Sequence, residues 1–208
     1  MKIKQMPLGP LGTNCYIVYK GDVALIIDPG GDEKEVISFI DQYQLKPLAI
    51  LLTHAHFDHI GAVGALRHLY DIDVYLGKDE QEWLENPHLN RSTLMGMEIR
   101  TESPEHLLTP GKLNIDDFSI DVLHTPGHSP GSSSFVFTDD ELVISGDVLF
   151  RHGVGRTDLP GGSFVQLQSS ILNHLYHLPD HFIVYPGHGP KTTIGEEKQH
   201  NPFVPGQV

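Results

Sequence analysis

One pattern, repeated four times, constrains this chain more than any other: a short apolar run stops abruptly at a loop of histidine, aspartate and glycine. "LAILL" runs into "THAHFDH", "FSIDVL" into "HTPGHSPG", "ELVIS" into "GDVLF", and "FIVY" into "PGHGP". Apolar, β-branched runs bounded by turn residues read as buried strands. Strand ends are where α/β folds gather ligand-binding groups. The rest of the chain fits that frame. "TNCYIVY" and "VALIID", split by "KGD", predict a hairpin. "DEKEVISFIDQYQ" predicts a helix through Val36, Ile37, Ile40 and Tyr43, with Asp32 as its cap. "HIGAVGALRHLY" and "SFVQLQSSILNHLYHL" read as helices, "DVYL" as a strand, and "KDEQEWLEN" as a short surface helix. Residues 87 to 110 read as an excursion over the surface. "KLNI", "FSIDVLHT", "SSFVFT" and "ELVISG" give four further strands. The order ββαβα, a middle section, ββββ and αβ predicts two mixed sheets packed face to face with helices outside. The 208 residues show no repeat or low-complexity linker and are expected to form a single domain, 1–208.

Composition narrows the function classes. Fourteen basic against 27 acidic residues give a net charge of −13, which repels phosphate backbones, so no nucleic-acid partner is expected. No apolar run approaches the roughly 18 residues of a membrane span, so no membrane partner is expected. "MKIKQMPLGPLGTNCY" lacks a signal core, and Cys15 is the single cysteine, so the expectation is a cytoplasmic protein, monomer or homodimer. Histidine is the outlier, with fourteen residues, about double the usual share for this length.

Five histidines and two aspartates hang from the four strand ends: His54, His56, Asp58, His59, His128, Asp147 and His188. His54 and His56, two apart in extended chain, project to one side and can grip one ion, while Asp58 and His59 point towards a second. Glycines beside His128 and His188 let the backbone bend so that short side chains reach inward. Imidazole with carboxylate suits zinc, with iron or manganese as alternatives. Seven donors exceed one tetrahedral shell and suit two divalent ions bridged by a carboxylate. Structural zinc prefers cysteine-rich sets, so this site is expected to be open and catalytic. The other histidines carry simpler expectations. His68, His124, His174 and His177 are assigned to hydrogen-bonded core positions, and His88, His106, His181 and His200 to the surface. His152 lies near the Asp147 loop, with a substrate contact as the less favoured reading.

These motifs resemble the metallo-β-lactamase-fold hydrolases: "THAHFDHIG", "HTPGHSPGS", "SGDVLF" and "YPGHGP" occur in the family's order. "LGTNCYIV", "IIDPGG", "GVGRTDLPGG" and "GHGPKTTIGEEKQHNPF" extend the likeness to the small glyoxalase II-like, hydroxyacylglutathione hydrolase-like group over essentially the whole length. The resemblance implies a four-layered αββα sandwich. It also implies His54, His56 and His128 on a first metal, Asp58, His59 and His188 on a second, and Asp147 as the bridge. Asp28 would orient a ligand, with a helix-cap or turn aspartate as the other reading, and Arg156 would contact a substrate carboxylate or else pair with Asp158 in its own loop. Asp58 and Asp147 are the expected catalytic carboxylates.

Two ions would lower the pKa of a bridging water from 15.7 to about 7, giving a hydroxide nucleophile. Cys15 sits in an apolar strand as packing, and Ser132, Ser133 and Ser134 read as loop and strand-start residues, so no side-chain nucleophile is required. No dedicated general acid is evident, which favours a leaving group that departs as an anion. A thiolate, with a thiol pKa near ~8.5, does so more readily than an amine. Thioester hydrolysis is therefore the first expectation, with a small-molecule thioester as partner. The C-terminal helical domain that holds glutathione in full-length glyoxalase II is expected to be missing, and Asp158 stands where an aromatic residue would help hold the thiol carrier, so another thiol carrier or a smaller thioester is an open alternative. The main rival is a mononuclear-iron persulfide dioxygenase, which shares the H-x-H-x-D-H pattern and a "GRTD" loop. A nucleic-acid-processing hydrolase ranks below both. A β-lactamase is disfavoured because those enzymes are exported.

Overall fold

The β-branched, apolar runs between residues 13 and 51 form the middle of a six-stranded mixed sheet. Its elements are β1 (Lys2–Leu8), β2 (Thr13–Lys20), β3 (Val23–Ile27), α1 (Glu33–Gln42), β4 (Lys46–Leu51), α2 (Phe57–Ile60), α3 (Val63–Tyr70), β5 (Asp73–Gly77) and β6 (His106–Leu108). The spatial order is β1-β2-β3-β4-β5-β6. The first two pairings are antiparallel, including the expected hairpin, and the last three are parallel. This is a computed structural model that describes residues 1–206. The chain divides into two units, Met1–Leu108 and Thr109–Val208.

The second unit builds its own mixed sheet. Its elements are β7 (Gly111–Ile115), β8 (Phe118–His124), β9 (Ser133–Phe137), β10 (Leu142–Gly146), β11 (Leu149–Phe150), β12 (Gly153–Val154), α4 (Phe164–Asn173), β13 (Ile183–Pro186), β14 (Thr192–Thr193) and α5 (Ile194–His200). The sheet order is β14-β13-β10-β9-β8-β7, with β10 and β13 parallel and the other neighbours antiparallel. β11 and β12 form a separate two-stranded ribbon.

Each unit has its own core. In the first, Ile17, Ile26, Ile50 and Val74 pack with Val36, Phe39 and Ile40 of α1 and Leu66 of α3. In the second, Val136, Val143 and Val184 pack with Leu167 and Ile171 of α4 and Ile194 of α5. Each such side chain contributes roughly 1.5–3 kcal/mol by leaving water.

Several expectations change in the folded chain. The α1 stripe is Val36, Phe39 and Ile40, while Tyr43 lies beyond the helix end and is exposed. Asp32 occupies the N-cap position in left-handed conformation but makes no side-chain cap. Its Oδ2 instead accepts from the Gly9 N–H at 2.7 Å. The helix expected through residues 59–70 is two helices. Gly61 approaches so closely that an added Cβ would lie 2.3 Å from the Gly30 carbonyl oxygen, and the Ala62 N–H leaves to Pro29 O at 2.9 Å. "KDEQEW" is a 3-10 turn with Glu80 and Trp83 buried rather than a surface helix. Residues 87–110 are not only a surface excursion: Pro87, Asn90 and Ser92 are buried, and β6 closes the sheet. His68, His174 and His177 are exposed, so they are not core histidines. His124 is half-buried, with Nε2 2.9 Å from Pro130 O. Among the described residues no helix is long and apolar enough to cross a membrane.

Candidate metal centre

In the first unit, four expected donors lie in one buried loop and the short helix after it. β4 runs between β3 and β5, and the chain leaves it through Leu52 and Thr53 into His54, Ala55 and His56, all buried. The rings of His54 and His56 lie 4.8 Å apart, and those of His54 and His59 4.1 Å apart. Asp28, at the end of β3, fixes how these rings face. Its Oδ1 accepts from the Thr53 N–H at 2.8 Å; its Oδ2 accepts from Thr53 Oγ1 at 2.6 Å and lies 2.9 Å from His59 Nδ1. An ionised carboxylate only accepts, so His59 Nδ1 carries the proton and Nε2 the lone pair. Thr53 spends its single hydroxyl proton on Asp28. The 3.1 Å contact between Thr53 Oγ1 and His54 Nδ1 therefore makes His54 Nδ1 a donor as well, again leaving Nε2 as the basic nitrogen. One carboxylate thus sets two tautomers, the usual arrangement behind metal-binding imidazoles.

Asp58 is held separately. Thr13 Oγ1 donates to its Oδ2 at 2.7 Å, and the same Oδ2 lies 3.6 Å from His59 Nε2. Gly30 makes room for it, since a Cβ there would sit 1.8 Å from the Asp58 carbonyl oxygen. The loop is also supported from positions with little local signal in the sequence. Fully buried Glu80 accepts from the Ala55 N–H at 2.6 Å, and Asn90 O accepts from the Phe57 N–H at 2.8 Å. The Asn90 amide donates to Trp83 O and Ile99 O, which ties down the 87–99 segment. The signal for Glu80 was weak: a carboxylate beside Trp83 in a short amphipathic run.

In the second unit, three expected donors come from three different strand ends. His128 follows β8, Asp147 follows β10 and His188 follows β13. His128 Nδ1 lies 2.8 Å from the Arg156 carbonyl, which can only accept, so its Nε2 is also the basic nitrogen. Asp147 Oδ2 lies 3.6 Å from His128 Nε2 and 3.5 Å from His188 Nε2. Such spacings exceed the 2.7–3.2 Å of a hydrogen bond. Two donors each about 2.0–2.1 Å from an ion at a tetrahedral angle lie about 3.4 Å apart, so these spacings fit shared coordination. His59 Nε2 and Asp58 Oδ2 show the same spacing in the first unit.

The α4 N-terminus secures the His128 loop. The Ser163 N–H donates to Gly127 O at 2.7 Å, and Ser170 Oγ donates to Pro126 O at 2.7 Å. Gly127 has φ +133°, and a Cβ there would meet the Leu167 nitrogen at 2.2 Å. Arg156, expected at the substrate, holds Asp158 bidentately, Nε to Oδ1 and Nη2 to Oδ2, each at 2.7 Å. That pairing drives the exposed Asp158 carboxyl down to about 2 and raises the Arg156 guanidinium further. Cys15 is fully buried, and desolvation with the Asp28 charge beside it pushes its thiol well above the usual range, which keeps it an inert thiol.

The fold and these donors define a class. A profile of the Metallo-beta-lactamase superfamily matches residues 8–188. The chain belongs to that superfamily, and its class is that of a metallo-hydrolase. Among relatives, it is 48% identical over 208 residues to a probable metallo-hydrolase, YqgX, of Bacillus subtilis (strain 168), with 99% of each chain covered. It is 35% identical to the hydroxyacylglutathione hydrolase GloC of Haemophilus influenzae (strain ATCC 51907 / DSM 11121 / KW20 / Rd), over 98% of each. Among solved structures, the BLEG-1 B3 metallo-beta-lactamase superposes with a TM-score of 0.96 at 52% identity, over 98% of this chain and 99% of that one. TTHA1623, in a di-iron-bound form, superposes with a TM-score of 0.87 at 41% identity, over 97% and 100%.

Proposed function

We propose that the seven donors form one binuclear centre in a metal-dependent thioester hydrolase. His54, His56 and His128 would hold one divalent ion, Asp58, His59 and His188 the other, and Asp147 would bridge them. The observation that carries this reading is Asp147 Oδ2, which lies within 3.6 Å of two imidazole Nε2 atoms, the place of a shared carboxylate ligand. The tautomers fixed on His54, His59 and His128 support it, since each directs a basic nitrogen away from its anchoring partner.

When bound, such ions supply a water acidified to a pKa of about 7 and Lewis-acid polarisation of a carbonyl. The protein's own part is positional. Asp28 and Thr53 hold two rings by their Nδ1 protons, and Thr13 holds the Asp58 carboxylate. Arg156 would receive a carboxylate of the thiol carrier by exchanging it for Asp158, an exchange between equivalent oxygens that costs little at an exposed pair. A thiol leaving group departs as a stable anion, so no side chain has to protonate it. The likeness to GloC supports a thioester substrate, and zinc is the proposed metal, with iron or manganese as alternatives.

The decisive measurement pairs metal analysis of the purified protein with thiol release from S-lactoylglutathione. The expected result is close to two metal equivalents and steady hydrolysis. A single iron with oxygen uptake on glutathione persulfide would overturn it. The likeness to BLEG-1 favours β-lactam opening as a second reading, and a chromogenic cephalosporin hydrolysed faster than the thioester would select it.

A further inference from the structure

The C-terminal "GEEKQHNPF" run carries chemistry that the proposed centre does not use. Glu197 lies on α5 and is fully buried, yet its hydrogen-bond donors are all neutral. Its Oε1 accepts from Thr192 Oγ1 at 2.6 Å. Its Oε2 accepts from the His152 N–H and from Asn201 Nδ2, each at 2.9 Å. Asn201, also buried, donates through the same Nδ2 to Gly153 O at 3.0 Å, while its Oδ1 accepts from the Phe203 and Val204 N–H groups. A carboxylate buried among neutral partners is costly to keep, so what it holds is informative.

It holds the turn of the β11–β12 ribbon. His152 sits there in left-handed conformation, φ 56°, which few side-chain-bearing residues adopt. The ribbon starts two residues after Asp147 and ends two residues before Arg156, whose carbonyl fixes His128. Just beyond it, Gly155 packs so tightly that a Cβ would stand 1.8 Å from Asp147 O and 3.1 Å from His128 Nδ1. One flank of the ribbon therefore ends at a donor residue, Asp147, and the other at the carbonyl that anchors His128.

We propose that Glu197 and Asn201 are positioning residues for the metal centre: they clasp the His152–Gly153 turn and so set where Asp147 and the Arg156 carbonyl lie. This rests on the metal reading above. The pair touches no donor side chain and acts through the ribbon backbone. It also gives the C-terminal run a function other than packing.

The test compares Glu197→Gln, Asn201→Ala and Thr192→Val with the unaltered protein. Zinc affinity is measured by competition with a chromogenic chelator, the visible spectrum after cobalt substitution is recorded, and folding of the metal-free proteins is checked by circular dichroism. Removing a direct orienting partner of a ligand typically weakens metal affinity by about 10–100-fold; the clasp acts one step further out, so the lower end of that range is expected. Glu197→Gln and Asn201→Ala should lose at least about tenfold and alter the cobalt spectrum. Thr192→Val, which touches the same carboxylate but no ribbon atom, should stay within about twofold. If Glu197→Gln fails to fold, the contrast between Asn201→Ala and Thr192→Val carries the test. Wild-type protein loaded with two ions and variants of equal affinity would overturn the clasp alone, as would equal losses in Asn201→Ala and Thr192→Val. Wild-type protein that takes up neither zinc nor cobalt would overturn the metal reading and the clasp with it.

Discussion

The two units carry their donors in opposite ways. In the first, His54, His56, Asp58 and His59 occupy one short stretch and are oriented mainly by side chains, Asp28, Thr53 and Thr13. In the second, His128, Asp147 and His188 are far apart in sequence, and His128 is oriented by a backbone carbonyl. One device is common to both: a glycine packed against the carbonyl of the aspartate, Gly30 on Asp58 and Gly155 on Asp147, each leaving 1.8 Å for a Cβ. A local motif can be tuned residue by residue, whereas a distributed set depends on the register of every strand that contributes to it. The first kind should fail by single side chains, the second by backbone displacement.

The largest expected effect separates the two aspartates. Asp147→Ala removes the oxygen placed beside two imidazoles and should abolish turnover and reduce bound metal when assayed by elemental analysis. Asp58→Ala should weaken one ion more than the other. Retention of full metal and activity in Asp147→Ala would remove its bridging role.

Next comes Asp28→Asn, which keeps the shape and spoils the proton inventory. One amide end must then donate where the carboxylate accepted, either against the Thr53 N–H or against the Thr53 hydroxyl and His59 Nδ1. Metal affinity should fall about 10–100-fold, and a zinc competition assay reads it directly. An unchanged affinity would show that Asp28 only shapes the turn.

Gly30→Ala and Gly155→Ala sharpen the shared device. Overpacking of this kind costs about 1–3 kcal/mol, so both should melt earlier in a thermal scan of the metal-free protein. If only one of them falls, the parallel between the units is superficial.

The smallest effect belongs to Asp158. Its carboxyl in the folded chain lies below the ordinary value of 3.8, at about 2, so its contribution is complete above about pH 4 and is lost as pH falls towards 2. The group is exposed, and Asp158→Asn should leave the Tm at pH 7 unchanged. It should, however, lower the KM for acidic thioesters by releasing the Arg156 guanidinium, with kcat little affected. An unchanged KM would confine Arg156 to its loop.

What the sequence determined by itself was whatever is local. Apolar runs named the central strands, because β-branched residues between turns leave few alternatives, and "THAHFDH" displayed its four donors because they share one loop. The polar edge strand β1 escaped notice, since "KIKQMPL" buries only its last residue, Leu8. The two-residue strand β14 and the short helix α5 carry too few residues for a periodicity to show. Tertiary structure alone decided the rest. It broke the helix at Gly61, put Glu80, Asn90 and Glu197 inside, and left His68, His174 and His177 outside. It also fixed the tautomers through Asp28, Thr53 and the Arg156 carbonyl. Residue type and spacing specify what a side chain can do with its neighbours along the chain. A buried hydrogen bond depends on which groups meet across a sheet or a turn, and that is set only when the strands take their register.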